Sequence, residues 1–281
     1  KTVLGKKYII GPGGKGSNQA IAAARAGGDV SFVTKLGKDN YADMALKLYQ
    51  EAGVNTQAVI LDPNLNTGAA GILINQKTGE NAINVVPGAA ATIDHKFIDD
   101  NLSIIKNSKI FLTQLETSID ATMYALKLAK ENDCTTILNP APARNLPNDC
   151  FENIDFFTPN ETEASFFINQ SIESEEDCQS AAKVLLDKGM KNILITLGDK
   201  GCFFKNQEEE FLLPAKKLSA PVVDTTGAGD AFNGAFSVAL SKNKNYKEAI
   251  EFANLVAGIS VTREGAANSM PTIDEIDENI Q

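Results

Sequence analysis

The sequence predicts an α/β fold: a doubly wound, mostly parallel sheet covered by helices on both faces, with a small β lid. From residue 94 onward, short apolar runs alternate regularly with segments of helical periodicity. The apolar runs are continuous, which is typical of strands buried on both faces of a parallel sheet. Residues 68–87 differ, because two short strands at 70–74 and 82–86 flank a polar stretch that contains glycine. This pattern indicates an antiparallel hairpin and therefore a subdomain or lid.

The composition is that of an acidic globular protein. The chain has 281 residues, of which 43% are apolar and 22% charged, enough for one large α/β domain or two small ones. A net charge of −10 argues against nucleic acid or an anionic membrane as the main partner. No apolar run approaches the length of a membrane span and no signal peptide is visible, so we expect a cytoplasmic protein. Its four cysteines lack metal-ligand spacing, and the single histidine, His95, nearly excludes a Ser-His-Asp or multi-histidine site.

The N-terminal part contains two predicted strand–helix pairs before the hairpin. Strands are predicted at residues 8–10 and 30–36, and helices at 20–26 and 42–52. The expected division of the chain is as follows: residues 1–10 and 66–87 form the β lid, and residues 11–65 and 88–281 form the α/β domain.

A glycine-rich loop separates the first predicted strand from the first helix. Gly11, Gly13 and Gly16 satisfy the dinucleotide pattern G-x-G-x-x-G, but the βαβ context with a later acidic residue is not convincing. A Walker phosphate loop fails because Lys15 is followed by glycine. The remaining interpretation is a loop whose backbone approaches a polar ligand, with Lys15 and Asn18 beside it. A tight turn before a helix is the alternative.

Beyond residue 94, polar residues follow each predicted strand. The strands are predicted at 110–115, 135–138, 155–158 and 192–196, and the helices at 97–105, 121–131, from 161, and at 181–188. The residues after the strands are Glu116, Asn139-Pro140, 160–163 and 198–201. Ligands of such sheets gather outside the carboxyl ends of the strands, so this edge is the expected binding edge.

The stretch 222–236 predicts an anion site. An extended segment turns at Gly227–Gly229 into a helix of apolar residues at helical spacing. The backbone N–H groups of Gly227, Ala228 and Gly229 would lack intrahelical partners and, with the helix dipole, would favour an anion. Asp230 would face that anion, which favours a phosphate-handling site; a helix cap is the alternative explanation of this aspartate.

Four motifs together resemble the ribokinase-type carbohydrate kinases, over essentially the whole chain. The two family signatures are at 13–20 (GGKGSNQA) and 224–230 (DTTGAGD), and two inner stretches match at 139–144 (NPAPAR) and 158–164 (TPNETEA). The resemblance implies that the α/β domain is an ATP-dependent kinase that phosphorylates a primary hydroxyl of a sugar, and the inner stretches favour D-ribose, giving ribose 5-phosphate.

The resemblance implies a role for each motif residue. Asp230 would be the base that accepts the hydroxyl proton, and the amides of Gly227, Ala228 and Gly229 would form the anion hole. The implied sugar-binding residues are Gly13, Gly14, Lys15, Asn18, Glu116 and Asp230. The implied nucleotide-binding residues are Asn160, Glu163, Thr196, Gly198, Asp199, Gly201, Gly229 and Asn254. Asp199 departs from the family, in which a small hydroxyl residue is common at this position.

Two cations are implied as cofactors. Asn160 and Glu163 match an N-x-x-E element that would hold Mg²⁺, bound with ATP, through its hydration shell. Potassium or another monovalent cation would lie beside the anion hole. Its implied ligand residues are Asp224, Thr226, Val261, Glu264, Ala266 and Ser269. A structural strand-end cap is the alternative explanation of Asp224.

The resemblance also implies a homodimer formed through the β lid, since an exposed edge of a small sheet favours pairing. Family members carry an Asn and an Asp on a first strand that grips the sugar, and Lys1 aligns after that strand, which we expect to be missing here. Three alternatives stay open: a related kinase for fructose, deoxyribose or adenosine; a catalytically silent nucleotide-binding relative; and an NAD-dependent dehydrogenase, suggested only by the glycine pattern at 11–16.

Overall fold

A six-stranded sheet forms the centre of the protein, in a computed structural model that describes residues 5–74 and 81–280. The strands are β1 Thr34–Gly37, β2 Val59–Asp62, β3 Ala69–Ile74, β4 Asn81–Val86, β5 Ile110–Thr113, β6 Thr135–Leu138, β7 Phe156–Phe157, β8 Asn192–Thr196, β9 Cys202–Lys205 and β10 Glu210–Leu213. The α-helices are α1 Lys15–Arg25, α2 Asn40–Ala52, α3 His95–Asp100, α4 Leu102–Lys106, α5 Ile119–Glu131, α6 Glu161–Ile168, α7 Glu175–Asp187, α8 Ala228–Ser241, α9 Tyr246–Ser260 and α10 Ile273–Glu278.

The sheet is mostly parallel and is covered on both faces. Strands β5 to β8 pair in parallel in chain order, and β9 and β10 continue the sheet antiparallel beyond β8. Successive residues of a strand point to opposite faces, so Ile137 and Phe156 pack in one core with α1, α2, α8 and α9. Leu138 and Phe157 pack in a second core with α5, α6 and α7. The fold class predicted from the alternation is confirmed.

The lid hairpin lies where the sequence predicts it. Strands β3 and β4 pair antiparallel, with Ala69 opposite Val86. Its turn at 75–80 and residues 1–4 of the predicted lid lie outside the described residues. The strand predicted at 8–10 is wrong: Tyr8, Ile9 and Ile10 are exposed and pair with no strand among the described residues. An apolar run forms a strand only where another strand accepts its backbone hydrogen bonds.

Other boundaries differ from the prediction for local reasons. The helix predicted at 97–105 is divided into α3 and α4 at Asn101, whose side-chain amide donates to the carbonyl oxygen of Phe97 at 2.8 Å. The helix predicted at 181–188 already begins at Glu175, because Ser174 and Asp177 form a reciprocal capping box. The parallel pair β1–β2 is separate from the main sheet in the described residues, and the sequence predicts only its first strand.

Helices α1 and α8 lie unusually close together, which positions the candidate site. A Cβ atom added to Gly234 of α8 would lie 2.7 Å from the Cβ of Ala22 and 2.7 Å from the carbonyl oxygen of Gln19. Only glycine permits this approach. The start of α1, after the glycine-rich loop, therefore lies against the start of α8, after the predicted anion site. Within residues 5–74 and 81–280, no helix combines the length and apolar character needed to cross a bilayer.

Candidate active site

Asp230 is a buried carboxylate in the first turn of α8, with only 5% of its surface exposed. The side-chain amide of Asn18 donates to its Oδ2 at 2.8 Å, and that of Gln19 donates to its Oδ1 at 2.9 Å. Burial raises the pKa of Asp230, while the charge of Lys15 and the two amide hydrogen bonds act in the opposite direction. Asp230 therefore does not cap α8 through its side chain; its oxygens face α1.

The end of the glycine-rich loop contacts a second carboxylate near Asp230, that of Glu116. Gly14 precedes α1 with a φ of +91°, a conformation that favours glycine, and directs the backbone N–H of Lys15 to Oε2 of Glu116 at 2.7 Å. Burial raises the pKa of Glu116, although the hydrogen bond from Lys15 and its charge oppose this. Asn18 Oδ1 is buried and has no hydrogen-bond partner among the described residues. The structure brings the predicted residues Gly14, Lys15, Asn18 and Glu116 to one place, with Gly13 immediately before them.

The turn before α8 corrects one detail of the predicted anion site. Gly227 adopts the left-handed conformation, with φ +81°, and this turn brings the N–H of Ala228 back to the carbonyl oxygen of Thr225 at 3.2 Å. Ala228 therefore has an acceptor, contrary to the expectation. Within the described part of the chain, the N–H groups of Gly227 and Gly229 have no backbone or side-chain acceptor. They remain available to an anion at the positive end of the helix.

Asn160 and Glu163 form the N-terminal cap of α6. Asn160 Oδ1 accepts from the N–H of Glu163 at 2.8 Å, and Glu163 Oε2 accepts from the N–H of Asn160 at 2.9 Å. Burial raises the pKa of Glu163; the charge of Lys15 lowers it and that of Asp230 raises it, so the three charged groups influence one another. No group of three or more His, Cys, Asp or Glu side chains suited to a metal occurs in residues 5–74 and 81–280. A Mg²⁺ that keeps its waters and the phosphates of ATP needs few protein ligands, so these two residues fit it.

The other predicted nucleotide residues lie after β8 and on α9. Thr196 ends β8, and its N–H donates to the carbonyl oxygen of Pro159 at 2.9 Å, which places it beside Asn160. Gly198 and Asp199 lie in a short 3₁₀ turn that Gly201 ends. Asn254 on α9 is buried and its amide donates to the carbonyl oxygen of Pro214 at 3.2 Å.

Asp224 joins the two segments predicted to hold a monovalent cation. Its Oδ1 accepts from the N–H of Thr226 at 2.9 Å and its Oδ2 from the N–H of Gly265 at 3.0 Å. Burial opposes ionisation, but these hydrogen bonds outweigh it and hold the pKa of Asp224 below its usual value. The carbonyl oxygens of Val261 and Ala266 already accept hydrogen bonds, that of Ala266 from Ser269. The exposed Glu264 forms an ion pair, with its Oε2 3.8 Å from Lys7 Nζ. The two segments are adjacent, as predicted.

Sequence reasoning missed several polar residues that contact the site. Gln19 and Asn139 both belong to motifs noted in the sequence, yet neither was assigned a role. The signal for Gln19 was its position just before the apolar, alanine-rich run of α1, where a buried amide requires partners. Thr158 and Asn233 are likewise buried polar residues near the site.

The fold and site define a phosphotransferase: a buried carboxylate lies at the carboxyl edge of a parallel sheet, beside a glycine-rich loop and helix-terminal amides that have no acceptor within residues 5–74 and 81–280. The model of the pfkB family of carbohydrate kinases matches residues 1–273, and the chain belongs to this family. A ribokinase of Haemophilus influenzae is 37% identical over 98% of this chain and 89% of its own length. A deoxyribokinase of Salmonella typhi is 34% identical over 99% of this chain and 90% of its own length.

A solved structure also resembles this chain throughout. The Arabidopsis thaliana ribokinase complexed with ribose and ATP superposes with a TM-score of 0.94 at 31% sequence identity, covering 100% of this chain and 91% of that one. The resemblance inferred from the four motifs is thereby confirmed at the level of the family and of the fold.

Proposed function

We propose that this protein transfers the γ-phosphoryl group of ATP to the 5-hydroxyl of D-ribose, giving ribose 5-phosphate and ADP. The observation that carries the proposal is the position of Asp230, buried in the first turn of α8 against the start of α1, which follows the glycine-rich loop. A sugar bound at the loop would present a hydroxyl to this carboxylate, and a phosphate at the helix start would lie on its other side. The ribokinase relatives support ribose as the sugar.

Asp230 acts as the base in the proposed reaction. The hydroxyl oxygen attacks the γ-phosphorus, its proton passes to the Asp230 carboxylate, and the bond from the γ-phosphorus to the bridging oxygen breaks to release ADP. Phosphoryl-transfer transition states require little early deprotonation, so an ordinary carboxylate suffices. The N–H groups of Gly227 and Gly229 stabilise the charge on the transferred oxygens.

The sugar is held by the residues around the glycine-rich loop in this proposal. Glu116 accepts from sugar hydroxyls with its second oxygen, since Oε2 already accepts from Lys15. Asn18 Oδ1, buried and without a partner in the described structure, accepts a further hydroxyl hydrogen bond. Gly13 and Gly14 leave room for the sugar to approach the backbone.

The nucleotide is proposed to lie against the carboxyl ends of β7 and β8 and beside α9. The residues assigned to it are Asn160, Glu163, Thr196, Gly198, Asp199, Gly201, Gly229 and Asn254. Asn160 and Glu163 would hold Mg²⁺ through water, and the metal supplies neutralisation of phosphate charge. A monovalent cation, potassium in the first instance, would be held between the segments joined by Asp224 and would further stabilise the helix-start turn.

Two broader features belong to the same proposal. We propose a homodimer formed through the lid, because Ile72, Leu73, Val85 and Val86 expose apolar side chains on one small hairpin. We also propose a cytoplasmic location, with which the free, buried cysteines agree.

Steady-state assays with ATP and Mg²⁺ across ribose, deoxyribose, fructose and adenosine test the substrate. We expect the highest kcat/KM for ribose. Deoxyribose is the second candidate, because the deoxyribokinase relative matches nearly the whole chain. A higher kcat/KM for deoxyribose than for ribose would make deoxyribose the assigned substrate. Absence of turnover with every sugar, together with tight ATP binding, would support a silent relative and overturn the proposal.

Asp230→Asn tests the base. We expect loss of turnover by about 10³-fold or more, with ATP binding unchanged within twofold, because the amide cannot accept the proton. The substitution is nearly isosteric, so calorimetric ATP titration on the same sample serves as the folding control. Retained activity would remove Asp230 from the mechanism.

A further inference from the structure

A chain of buried polar side chains leads away from Asp230 into the protein. Gln19 Nε2 donates both to Asp230 Oδ1, at 2.9 Å, and to Asn139 Oδ1, at 3.0 Å. Asn139 Nδ2 then donates to the carbonyl oxygen of Thr158 at 3.0 Å. Gln19 and Asn139 are 1% and 7% exposed, so water cannot replace these partners.

The series of hydrogen bonds returns to α8 and closes into a ring. Thr158 Oγ1 donates to Asn233 Oδ1 at 2.6 Å, and Asn233 Nδ2 donates to the carbonyl oxygen of Gly229 at 2.8 Å. Gly229 and Asp230 are neighbours in the first turn of α8. The ring therefore starts and ends in the first turn of α8, at Asp230 and at Gly229. Between these residues it passes through α1 and the ends of β6 and β7.

Backbone carbonyls determine the direction of every amide in this ring. A carbonyl only accepts, so Asn139 must present its nitrogen to Thr158 and its oxygen to Gln19. Gln19 must then present its nitrogen to Asn139 and, with the second hydrogen of that nitrogen, to Asp230. Its oxygen accepts from Gln114 Nε2 at 2.5 Å, which agrees with this orientation. Gln19 can only donate to Asp230 Oδ1.

We infer that Gln19 and Asn139 are positioning residues for phosphoryl transfer, which hold Asp230 Oδ1 as a hydrogen-bond acceptor and thereby fix the orientation of the carboxylate. Asp230 Oδ2 accepts from the side-chain amide of Asn18, whose own Oδ1 is buried without a partner in the described structure and is suited to a substrate hydroxyl. This inference rests on the proposed role of Asp230 as the base.

Three charged groups around Asp230 affect its ionisation, and the pH dependence of the rate tests the contribution of Gln19 beside them. Lys15 of α1 favours the ionised form of Asp230; Glu116, after β5, and Glu163 of α6 repel it. A hydrogen bond donated to a carboxylate stabilises the ionised form, so losing the Gln19 donor raises the pKa of Asp230. The acid limb of the kcat profile should then move to higher pH, since a base must be ionised to act.

The test uses Gln19→Leu and Asn139→Leu in the whole protein, assayed with ribose and ATP. For Gln19→Leu we expect kcat to fall by about 10- to 100-fold, KM for ATP to change less than about twofold, and the acid limb to move upward. Asn139→Leu should produce a smaller change in the same direction, because Gln19 remains but loses its orientation. The double variant should resemble Gln19→Leu, because both residues act through one contact.

Asn192→Leu is the matched control. Asn192 is a buried amide at the opposite end of the sheet, where its Nδ2 donates to the carbonyl oxygen of Asp155 at 2.9 Å. This variant should lower the melting temperature without moving the pH profile. If Gln19→Leu does not fold, Asn139→Leu alone decides the question.

The outcomes separate this inference from the proposed function. An inactive Asp230→Asn together with position-19 and position-139 variants of unchanged kcat and pH profile would overturn the inference and leave the base in place. An active Asp230→Asn would overturn the proposed base first, and the positioning role with it.

Discussion

Replacing Gly234 by alanine should separate α1 from α8 and thereby misplace the groups around Asp230. The added Cβ would lie 2.7 Å from the Cβ of Ala22 and from the carbonyl oxygen of Gln19, and 2.8 Å from the backbone nitrogen of Ala23. To reach an ordinary contact of 3.4 Å, the helices must move apart by about 0.7 Å. The 2.8 Å hydrogen bond from Asn18 to the carboxylate would then approach the 3.5 Å limit.

Two energies of opposite sign determine the stability of Gly234→Ala. Overpacking a well-filled core costs about 1–3 kcal/mol. Alanine is more favourable than glycine inside a helix by about 1 kcal/mol, which offsets part of this cost. We therefore expect a net loss of about 0–2 kcal/mol in the free energy of unfolding. For a chain of this size that corresponds to a melting temperature lower by at most roughly 8 °C.

Activity should suffer more than stability in this variant. A displacement near 1 Å in a catalytic constellation can reduce the rate by about 100-fold, so we expect kcat for ribose to fall roughly 10- to 100-fold while ATP still binds. The assay couples ADP release to a spectroscopic signal at saturating substrates, with calorimetry on the same sample. Gly258→Ala in α9 is the control: its added Cβ would lie 3.1 Å from the carbonyl oxygen of Lys216 and 3.8 Å from Cδ1 of Leu218. A shift of a few tenths of an ångström accommodates it, so both rate and stability should be nearly unchanged. Gly234→Ala with kcat within twofold of the parent would refute the proposed coupling of helix spacing to the site.

Two further predictions concern stability and assembly. Asp155→Asn, which removes the buried partner of Lys130 at 2.5 Å, should lower the free energy of unfolding at pH 7 by about 2–3 kcal/mol, whereas Asp187→Asn in an exposed pair should change it little. Burial raises the pKa of Asp155, but its hydrogen bonds outweigh burial and lower the pKa overall. Its stabilisation is therefore present above the unfolded-state pKa and is lost as the pH falls through the folded-state pKa. In urea titrations, the unfolding free energies of parent and variant should converge as the pH falls below about 4. Leu73→Lys, on the exposed face of the lid hairpin, should convert a dimer to a monomer in light scattering, while Val184→Lys on α7 should not; an unchanged mass for the lid variant would exclude the lid as the interface.

Much of the main sheet could be predicted because most of its strands are short, continuous runs of apolar residues. The strands predicted at 135–138 and 192–196 coincide with β6 and β8. A strand of a parallel sheet covered on both faces is buried throughout and is therefore apolar throughout, so a short stretch of sequence is enough to predict it. The strand predicted at 8–10 failed for the complementary reason, because an apolar run does not reveal whether a partner strand is present.

The candidate site divides in the same way. Glycine spacing and the aspartate after it indicated an anion site at Gly227–Gly229, and the polar residues after each strand indicated the binding edge. The assignment of Ala228 as a free amide was wrong, because the left-handed turn at Gly227 returns this N–H to Thr225. Such a detail depends on backbone angles that composition does not report.

The sequence by itself determined the fold class, the family and the position of Asp230 at a helix start, because strand and helix periodicity and glycine-rich turns are local properties. Only the tertiary structure decided what Asp230 contacts. Gln19 is 211 residues away along the chain and meets it because Gly234 lets two helices approach closely. Periodicity shows which side chains face inward, but a hydrogen bond between two helices depends on how they pack.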